Sequence, residues 1–311
     1  MSTAISCIEV FLTDGFMYAL LALGYYISFT ILDFPDLSVE GTVLLGGASY
    51  ALLVCAGVNP WLAIVVSFLL GAAAGSVTGF LHVKLHIRPL LCGILVSTAL
   101  ISINLVMTVV GNGGNFKGED ALSTISFTRN DPTILRTLPA KLLPDNVGGV
   151  NVRALVTFFI VALIFKFLLD AYLKTKNGLM LRATGSNPQF VTMLAQDPGK
   201  YKIIGLAISN GYAAVAGALI ATSRANANQG MGIGMVVIGL ASVIIGLSVF
   251  GKAKHIKPTT MVIFGAIIYQ ACLAIATYLG VPSAYNKLIM AILFTIALVV
   301  SHSMKKGESR V

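Results

Sequence analysis

Apolar residues occur along this 311-residue chain in nine blocks separated by polar connections. Most blocks have about the 20 residues that a helix needs to cross the hydrocarbon core of a bilayer. Two blocks, 42–57 and 233–250, are shorter and contain several small residues. The pattern predicts an all-α, polytopic membrane protein with about nine transmembrane segments, within a range of eight to ten. The blocks lie at residues 9–32, 42–57, 61–82, 90–111, 153–173, 203–222, 233–250, 258–278 and 284–302.

Composition supports a location in lipid. Hydrophobic residues make up 57% of the chain and charged residues only 11%, whereas a soluble domain carries about 25% charged residues. The net charge of +9 is explained by positively charged cytoplasmic loops, so no nucleic-acid partner is expected. We expect a multi-pass protein of the cell membrane.

The distribution of positive charge orients the predicted spans. Lys and Arg concentrate in the connections 82–89, 174–202 and 251–257 and in the C-terminal tail, which the positive-inside rule assigns to the cytoplasm. The other connections carry little positive charge and are assigned to the outside. The 112–152 loop carries both signs, and its position between an inside loop and a span that leads back inside places it outside. The scheme places the N-terminus outside and the C-terminus in the cytoplasm. If the first block is a helical hairpin, the N-terminus lies inside instead.

Blocks one to four and six to nine share the same order of long and short segments. In each set a polar, Gly-bearing stretch precedes the short block, at 33–53 and at 225–246. Because one block separates the two sets, their orientations are opposite, which predicts an inverted repeat with interrupted helices near the membrane midplane. We expect one transmembrane domain over 1–311, with a first repeat (9–111), an extracytoplasmic loop (112–152), a linking span (153–173), a cytoplasmic loop (174–202) and a second repeat (203–302).

Three glycines in the third block, Gly71, Gly75 and Gly79, share one helix face. Small residues at this spacing let two helices approach closely. The pattern indicates tight packing within the bundle, with a dimer face as the alternative.

No group of residues in the sequence predicts catalysis or cofactor binding. His82 and His86 are one helical turn apart, but no further metal ligands accompany them. The Gly-Lys run that binds nucleotide phosphates is absent from the sequence. We therefore predict a transport subunit rather than an enzyme, with no catalytic residue, metal or cofactor.

The ionisable residues near the apolar blocks also bear on function. Asp14, Asp33, Asp36, Glu40 and Arg224 are predicted to lie near helix ends, with no acid at the centre of a block. A proton- or sodium-coupled transporter usually needs an intramembrane carboxylate, so energy for transport is expected from elsewhere. Polar residues that could line a solute path, or bond across helices, are Ser38, Glu40, Ser97, Asn104, Ser209 and Asn210.

The segment "RATGSNPQFVTMLAQDPGKYK" (182–202) is longer than a turn requires. Ser186 or Asn187 can cap a helix that has Pro188 at its first position, and the Pro-Gly pair at 198–199 is expected to end it. This predicts a short cytoplasmic docking helix with Phe190, Val191, Met193 and Leu194 available to a partner. The alternative is an amphipathic turn on the bilayer surface.

Residues 178–219 resemble the cytoplasmic-loop signature of the permease subunits of ABC importers in the branched-chain amino acid, ribose and nucleoside group. The first two membrane segments of that family resemble "GFMYALLALGYYISFTIL" with "DLSVEGTVLLGGASYAL", and its last span resembles "SAYNKLIMAILFTIALVV". "DLSVEG" is close to the sugar-permease form. The positions that match the loop signature are Gly178, Arg182, Ala183, Gly185, Asn187, Pro188, Tyr201 and Lys202.

The resemblance implies a type II ABC importer-like fold and a permease homodimer. It also implies two cytoplasmic ATPase subunits and an extracytoplasmic solute-binding protein as partners. The loop helix would be the coupling helix, acting through Arg182, Gly185, Asn187, Pro188, Phe190, Met193 and Leu194. Two departures from the family pattern, "QDPGK" and the long polar 112–152 loop, indicate a subgroup that imports amino acids, including aromatic ones, or related small solutes.

Alternatives to an amino acid importer differ in energy source or in solute. An ion-coupled secondary transporter would work from an ion gradient without a partner ATPase. A sugar or nucleoside importer would keep the ABC mechanism with another solute. A membrane scaffold without transport would leave a partner's ATP hydrolysis independent of solute.

Overall fold

The computed structural model describes residues 2–111, 124–128, 131–137, 139–140, 151–251, 253, 256–280 and 285–308. The long helices of these ranges form a bundle, and two short strands form a ribbon at one end of it. The helices are α1 (Ser2–Tyr25), α2 (Val39–Cys55), α3 (Pro60–Leu85), α4 (Pro89–Gly111), α5 (Val152–Lys174), α6 (Lys176–Ser186), α7 (Pro188–Met193), α8 (Pro198–Arg224), α9 (Met235–Phe250), α10 (Pro258–Tyr278) and α11 (Asn286–Glu308). The strands are β1 (Thr124–Ser126) and β2 (Asn226–Asn228), a π-helical turn spans Tyr26–Ile31, and 3-10 turns span Ile134–Arg136 and Gln229–Gly232.

Each of the nine apolar blocks coincides with a helix, as predicted. Seven helical segments in the described residues are long and apolar enough to cross a membrane, while α2 and Leu288–Val299 are shorter apolar helices. The shortness of the second block is confirmed, because α2 has 17 residues. The block at 233–250 gains length from the preceding 3-10 turn, so that Gln229–Phe250 reaches 22 residues.

Pro198 and Gly199 begin a helix rather than end one. α7 ends at Met193, and Ala195 adopts a left-handed φ of 53°. Asp197 then caps α8 by accepting a hydrogen bond from the Gly199 N–H at 2.8 Å, with Pro198 at the first position. The prediction that this pair terminates the docking helix is wrong, because proline at a first helical position loses only an N–H that has no partner inside the helix.

The centre of the bundle is α8. The apolar part of α8 is 78% buried inside the protein, whereas that of α4 is 28% buried. α4 therefore lies at the periphery of the bundle. The glycine stripe of α3 packs on α8: a Cβ at Gly71 or Gly75 would overlap the backbone of α8 at Asn210 or Leu206. The stripe therefore serves tight packing inside the chain, and the dimer-face alternative for it is wrong.

Helices α1–α4 and helices α8–α11 have corresponding neighbours in the bundle. α3 packs on α8, and its counterpart α10 packs on α1; α2 contacts α3 and α4, while α9 contacts α10 and α11. α1 and α8 are antiparallel, since Tyr18 bonds to Arg224 whereas Gly24, further along α1, bonds to Ser209. This is the arrangement of the predicted inverted repeat.

The connections divide between two ends of the bundle. At the basic end, His82 of α3 lies 3.3 Å from the Lys202 amino group, and the connection before α10 returns to α5 through Lys257. At the ribbon end, β1 pairs antiparallel with β2, with Ile125 opposite Ala227. In the described residues, the basic connections lie together at one end of the bundle and the others lie at the opposite end, as the charge pattern predicted. That the basic end faces the cytoplasm stays a prediction.

Candidate functional site

Two short helices, α2 with 17 residues and α9 with 16, begin near the middle of the bundle and run to opposite ends; they are called half-helices below. α2 starts at Ser38, beside Asn210 of α8, and reaches the ribbon end, where the Cys55 sulfur lies 3.8 Å from an Asp131 carboxylate oxygen. α9 starts beside Glu40 and ends at Phe250, whose ring packs on Phe264 of α10 at 5.6 Å. Opposed half-helices at corresponding positions of two repeats mark the solute path in many transporters.

The starts of these half-helices meet at Glu40. Its Oε1 atom accepts a hydrogen bond of 3.0 Å from the backbone N–H of Gly234, the residue that precedes α9. Gly234 has a φ of 88°, a left-handed conformation that glycine adopts without steric cost. A Cβ at Gly232 would overlap the carbonyl oxygen of Glu40. The Glu40 carboxylate thus lies at the start of α9, where the N-terminal end of a helix favours negative charge.

A second carboxylate, Asp36, ties the start of α2 to α8. Its Oδ1 accepts hydrogen bonds from the Ser38 N–H at 2.8 Å and hydroxyl at 2.6 Å, and its Oδ2 accepts one from the Asn210 amide at 2.7 Å. Thr42, one turn into α2, donates to the Asn210 side-chain oxygen at 2.7 Å. Asp36 is only 1% exposed, and buried carboxylates persist where such donors replace water.

Asp36 lies just before α2, near a helix end as predicted, yet it is buried deep in the bundle. Asn210 lies near the middle of α8 (Pro198–Arg224), so its partner Asp36 lies near the middle of the bundle. The acid belongs to the break before α2 rather than to an apolar block. The sequence signal was the Asp36-x-Ser38 spacing ahead of a helix, but local capping alone does not indicate a partner in α8.

A third buried acid, Asp170 of α5, lies toward the basic end. Its carboxylate makes ion pairs with Lys166 at 3.2 Å and Lys257 at 3.1 Å, and it accepts a hydrogen bond of 2.6 Å from the Thr259 hydroxyl. These contacts join α5 to the start of α10. Lys166 and Asp170 lie inside an apolar block, so no sequence pattern marked them as a pair.

The residues predicted to line a solute path have different environments. Ser38 and Asn210 meet in the Asp36 cluster. Asn104 of α4 donates to the carbonyl of Gly41 at 3.0 Å, and Ser97 packs beside the same glycine. Ser209 points away from the cluster and donates to the Gly24 carbonyl of α1 at 2.8 Å.

The segment predicted to dock a partner forms two helices, α6 and α7. Asn187 caps α7 by accepting from the Phe190 N–H at 3.2 Å, with Pro188 at the first position, so the predicted capping is confirmed. The helix is shorter than expected. A Cβ at Gly185 would overlap the carbonyl oxygen of Ile31, so α6 lies directly against the π-helical turn after α1.

α7 presents apolar side chains at the basic end. Met193 is 83% exposed, Phe190 51% and Leu194 46%. Val191 is fully buried, so its predicted availability to a partner is wrong: it anchors α7 to the bundle. Arg182 is exposed and lines a cleft with Tyr26 and Pro258.

The opposed half-helices, the inverted repeat and the exposed α7 together define a membrane permease. Residues 7–298 match the family described as the branched-chain amino acid transport system permease component, and the chain belongs to this family. It is thus the multi-pass permease subunit of an ABC importer for a small solute, with ATP hydrolysed on a separate subunit.

Curated relatives cover most of the chain. It is 37% identical over 302 residues to a tyrosine transport system permease protein of Clostridioides difficile (strain R20291), covering 96% of this chain and 94% of that protein. It is 25% identical over 268 residues to a ribose import permease of Escherichia coli (strain K12), covering 86% and 77%. A fructose import permease of Bifidobacterium longum (strain NCC 2705) is 25% identical over 270 residues, covering 85% and 69%. No solved structure matches the chain significantly.

Proposed function

We propose that this chain forms the translocation path for an amino acid and opens it alternately to the two ends at the junction of α2 and α9. ATPase subunits at α7 supply the energy. At the junction, Glu40 bonds to the start of α9 and Asp36 bonds to α8, so a change of conformation there has defined hydrogen bonds to break. A transporter that alternates between two such states needs an energy source biasing one of them.

A short mechanical connection between α7 and the junction carries this proposal. α7 follows α6 directly, and Gly185 of α6 packs on the Ile31 carbonyl. Ile31 is five residues before Asp36, which bonds to Ser38 at the start of α2. A displacement of α7 and α6 therefore reaches the junction through one interhelical contact and a short piece of backbone. Arg182, Gly185, Asn187 and Pro188 act by shaping this connection, and Phe190, Met193 and Leu194 by contacting the ATPase.

An amino acid is favoured over a sugar by sequence similarity. The tyrosine permease shares 37% identity with this chain, whereas the ribose and fructose permeases share 25%. We place the basic end and the C-terminus in the cytoplasm, the solute-binding protein at the ribbon end, and two copies of the chain in the complex.

The test replaces Met193 by aspartate, with Leu279→Asp as the matched control. Both side chains are apolar and largely exposed, at 83% and 76%, but Leu279 follows α10 at the ribbon end. Met193→Asp is expected to abolish co-purification of the ATPase subunits and ATP-dependent uptake, because a charge is costly to bury in an apolar interface. Leu279→Asp is expected to preserve ATPase co-purification.

ATPase subunits that co-purify equally with both variants would refute the role of α7. Uptake that continues without ATP and follows an ion gradient would favour a secondary transporter instead. The buried Asp36 and Asp170 make this measurement worthwhile, since acids of this kind also occur in ion-coupled transporters.

A further inference from the structure

A cavity of about 390 Å³ lies between α1, α10 and the end of α8, toward the ribbon end. One stripe of α1 (Val10, Asp14, Tyr18) and one of α10 (Gln270, Leu273, Thr277) face each other across it. Its volume falls in the range of about 300–1,000 Å³ that is typical of small-molecule sites.

Two opposite charges, Asp14 and Arg224, face this cavity. Their charged groups are more than 4.0 Å apart, so they make no direct ion pair with each other. The Arg224 guanidinium donates to the Tyr18 hydroxyl at 3.0 Å, which orients it from one side. A carboxylate and a guanidinium held apart in a semi-enclosed space provide partners for an ammonium and a carboxylate of one ligand.

An unsatisfied donor provides an independent observation. Gln270 is 6% exposed, and its side-chain nitrogen has no hydrogen-bond partner in the described structure, although it lines the cavity. Buried amides normally have partners, so a lone one indicates a missing acceptor. A ligand carboxylate between Arg224 and Gln270 would supply that acceptor.

The remaining wall is largely apolar, with Val10, Phe11, Leu273 and Met290, and it also carries the hydroxyl groups of Thr277 and Tyr278. It suits a hydrocarbon or aromatic side chain, including one with a hydroxyl group.

We propose that this cavity is a binding site for a zwitterionic α-amino acid with an apolar or aromatic side chain. Arg224 and Gln270 receive its carboxylate, and Asp14 its ammonium group. The inference rests on the proposed transport function and specifies where that function meets its solute. Tyr25 packs on Gly239 of α9. Tyr25 is seven residues beyond Tyr18 on α1, so the two tyrosines are about 10 Å apart along the helix axis. The site thus lies on the ribbon-end side of the contact between α1 and α9.

The experiment measures equilibrium binding of three probes to the purified full-length chain in lipid nanodiscs. The probes are L-tyrosine, tyramine, which lacks the carboxylate, and 3-(4-hydroxyphenyl)propionate, which lacks the amine. Wild type is expected to bind L-tyrosine about tenfold more tightly than either analogue, because each lost charge-assisted hydrogen bond costs about that factor.

The variants separate the two charges. Arg224→Gln is expected to weaken L-tyrosine and the propionate about tenfold and to leave tyramine unchanged, with Arg224→Lys recovering part of the loss. Asp14→Asn is expected to weaken L-tyrosine and tyramine and to leave the propionate unchanged. Gln270→Leu is expected to weaken L-tyrosine without lowering the melting temperature, since it removes an unpaired buried amide.

Arg88→Gln and Asp33→Asn are the matched controls, because both side chains are exposed and lie outside the cavity. Equal effects of a variant on all three probes, equal effects of the controls, or no binding of L-tyrosine by wild type would each overturn the proposal. Binding is measured without ATPase subunits, so a failed site and a failed coupling through α7 give different results.

Discussion

At the scale of single residues, Asn210 contributes more to the stability of the bundle than the adjacent Ser209. One amide group donates to Asp36 and accepts from Thr42, while Ser209, the preceding residue, makes one bond to a backbone carbonyl. The difference matters because the partner of Asn210 is a buried carboxylate. When a buried carboxylate loses a hydrogen-bond donor, the free energy of removing it from water is no longer compensated.

Asn210→Leu is therefore expected to destabilise the protein more than Ser209→Ala. Losing the donor to Asp36 should cost about 1–3 kcal/mol or more, and losing the neutral Ser209 bond about 0.5–1.5 kcal/mol. Denaturant titration of the purified variants in mixed micelles gives both values. Equal losses would mean that Asp36 finds another donor.

The Asp170 ion pairs predict a similar contrast. Lys166 is buried with its acid, whereas the Lys257 side chain is 54% exposed. Asp170→Asn leaves the buried Lys166 without a counter-charge and is expected to cost about 3–5 kcal/mol. Lys257→Gln removes a partly solvated pair and is expected to cost less than about 1 kcal/mol. Unfolding midpoints of the two variants check the order, and a larger loss in Lys257→Gln would contradict it.

At the scale of elements, the crossing of α2 and α8 depends on a reciprocal pair of glycines. A Cβ at Gly46 would overlap the Ala214 carbonyl oxygen, and a Cβ at Gly217 would overlap that of Val43. The backbones thus approach more closely than any side chain allows, and this proximity brings Ser38 and Thr42 within reach of Asn210.

Gly217→Ala is expected to lower the melting temperature even though alanine favours a helix by about 1 kcal/mol. Forcing the two helices apart should cost about 1–3 kcal/mol beyond that gain. Gly230→Ala is the control, because its Cβ would meet only an ordinary contact at 3.4 Å. A rise in melting temperature for Gly217→Ala would show that the crossing can widen freely.

Much of the element order could be predicted from the sequence, because lipid imposes long apolar runs and charge distinguishes the connections. Asp36 escaped prediction, since its partner Asn210 is 174 positions away and no local pattern links them. Pro198 was misassigned because a Pro-Gly pair suits either a helix end or, with Asp197 before it, a helix start. Val191 was placed on the wrong face because a helix of six residues has too few positions for a reliable period.

At the scale of the whole molecule, the two ends differ in charge and in architecture. Lysines and arginines gather around α6 and the starts of α8 and α10, and the ribbon end holds the paired strands. If the basic end is cytoplasmic, the two ends should differ in access to a reagent that does not cross membranes.

Labelling with a membrane-impermeant maleimide tests this orientation. A variant that keeps only Cys55, which is exposed at the ribbon end, is expected to react in intact cells. Met193→Cys in a chain without other cysteines is expected to react only after permeabilisation. The reverse pattern would invert the topology without affecting the fold.

The bond between Asp36 and Asn210 also constrains the order of events during synthesis. The ribosome completes Asp36 174 residues before its partner exists, which at about 5–20 residues per second is a delay of roughly 9–35 s. During that interval the carboxylate cannot occupy its final place in the bundle and must remain near water, lipid headgroups or the insertion machinery. The bond that ties the start of α2 to α8 therefore forms only after Asn210 has been translated, although α2 is made early.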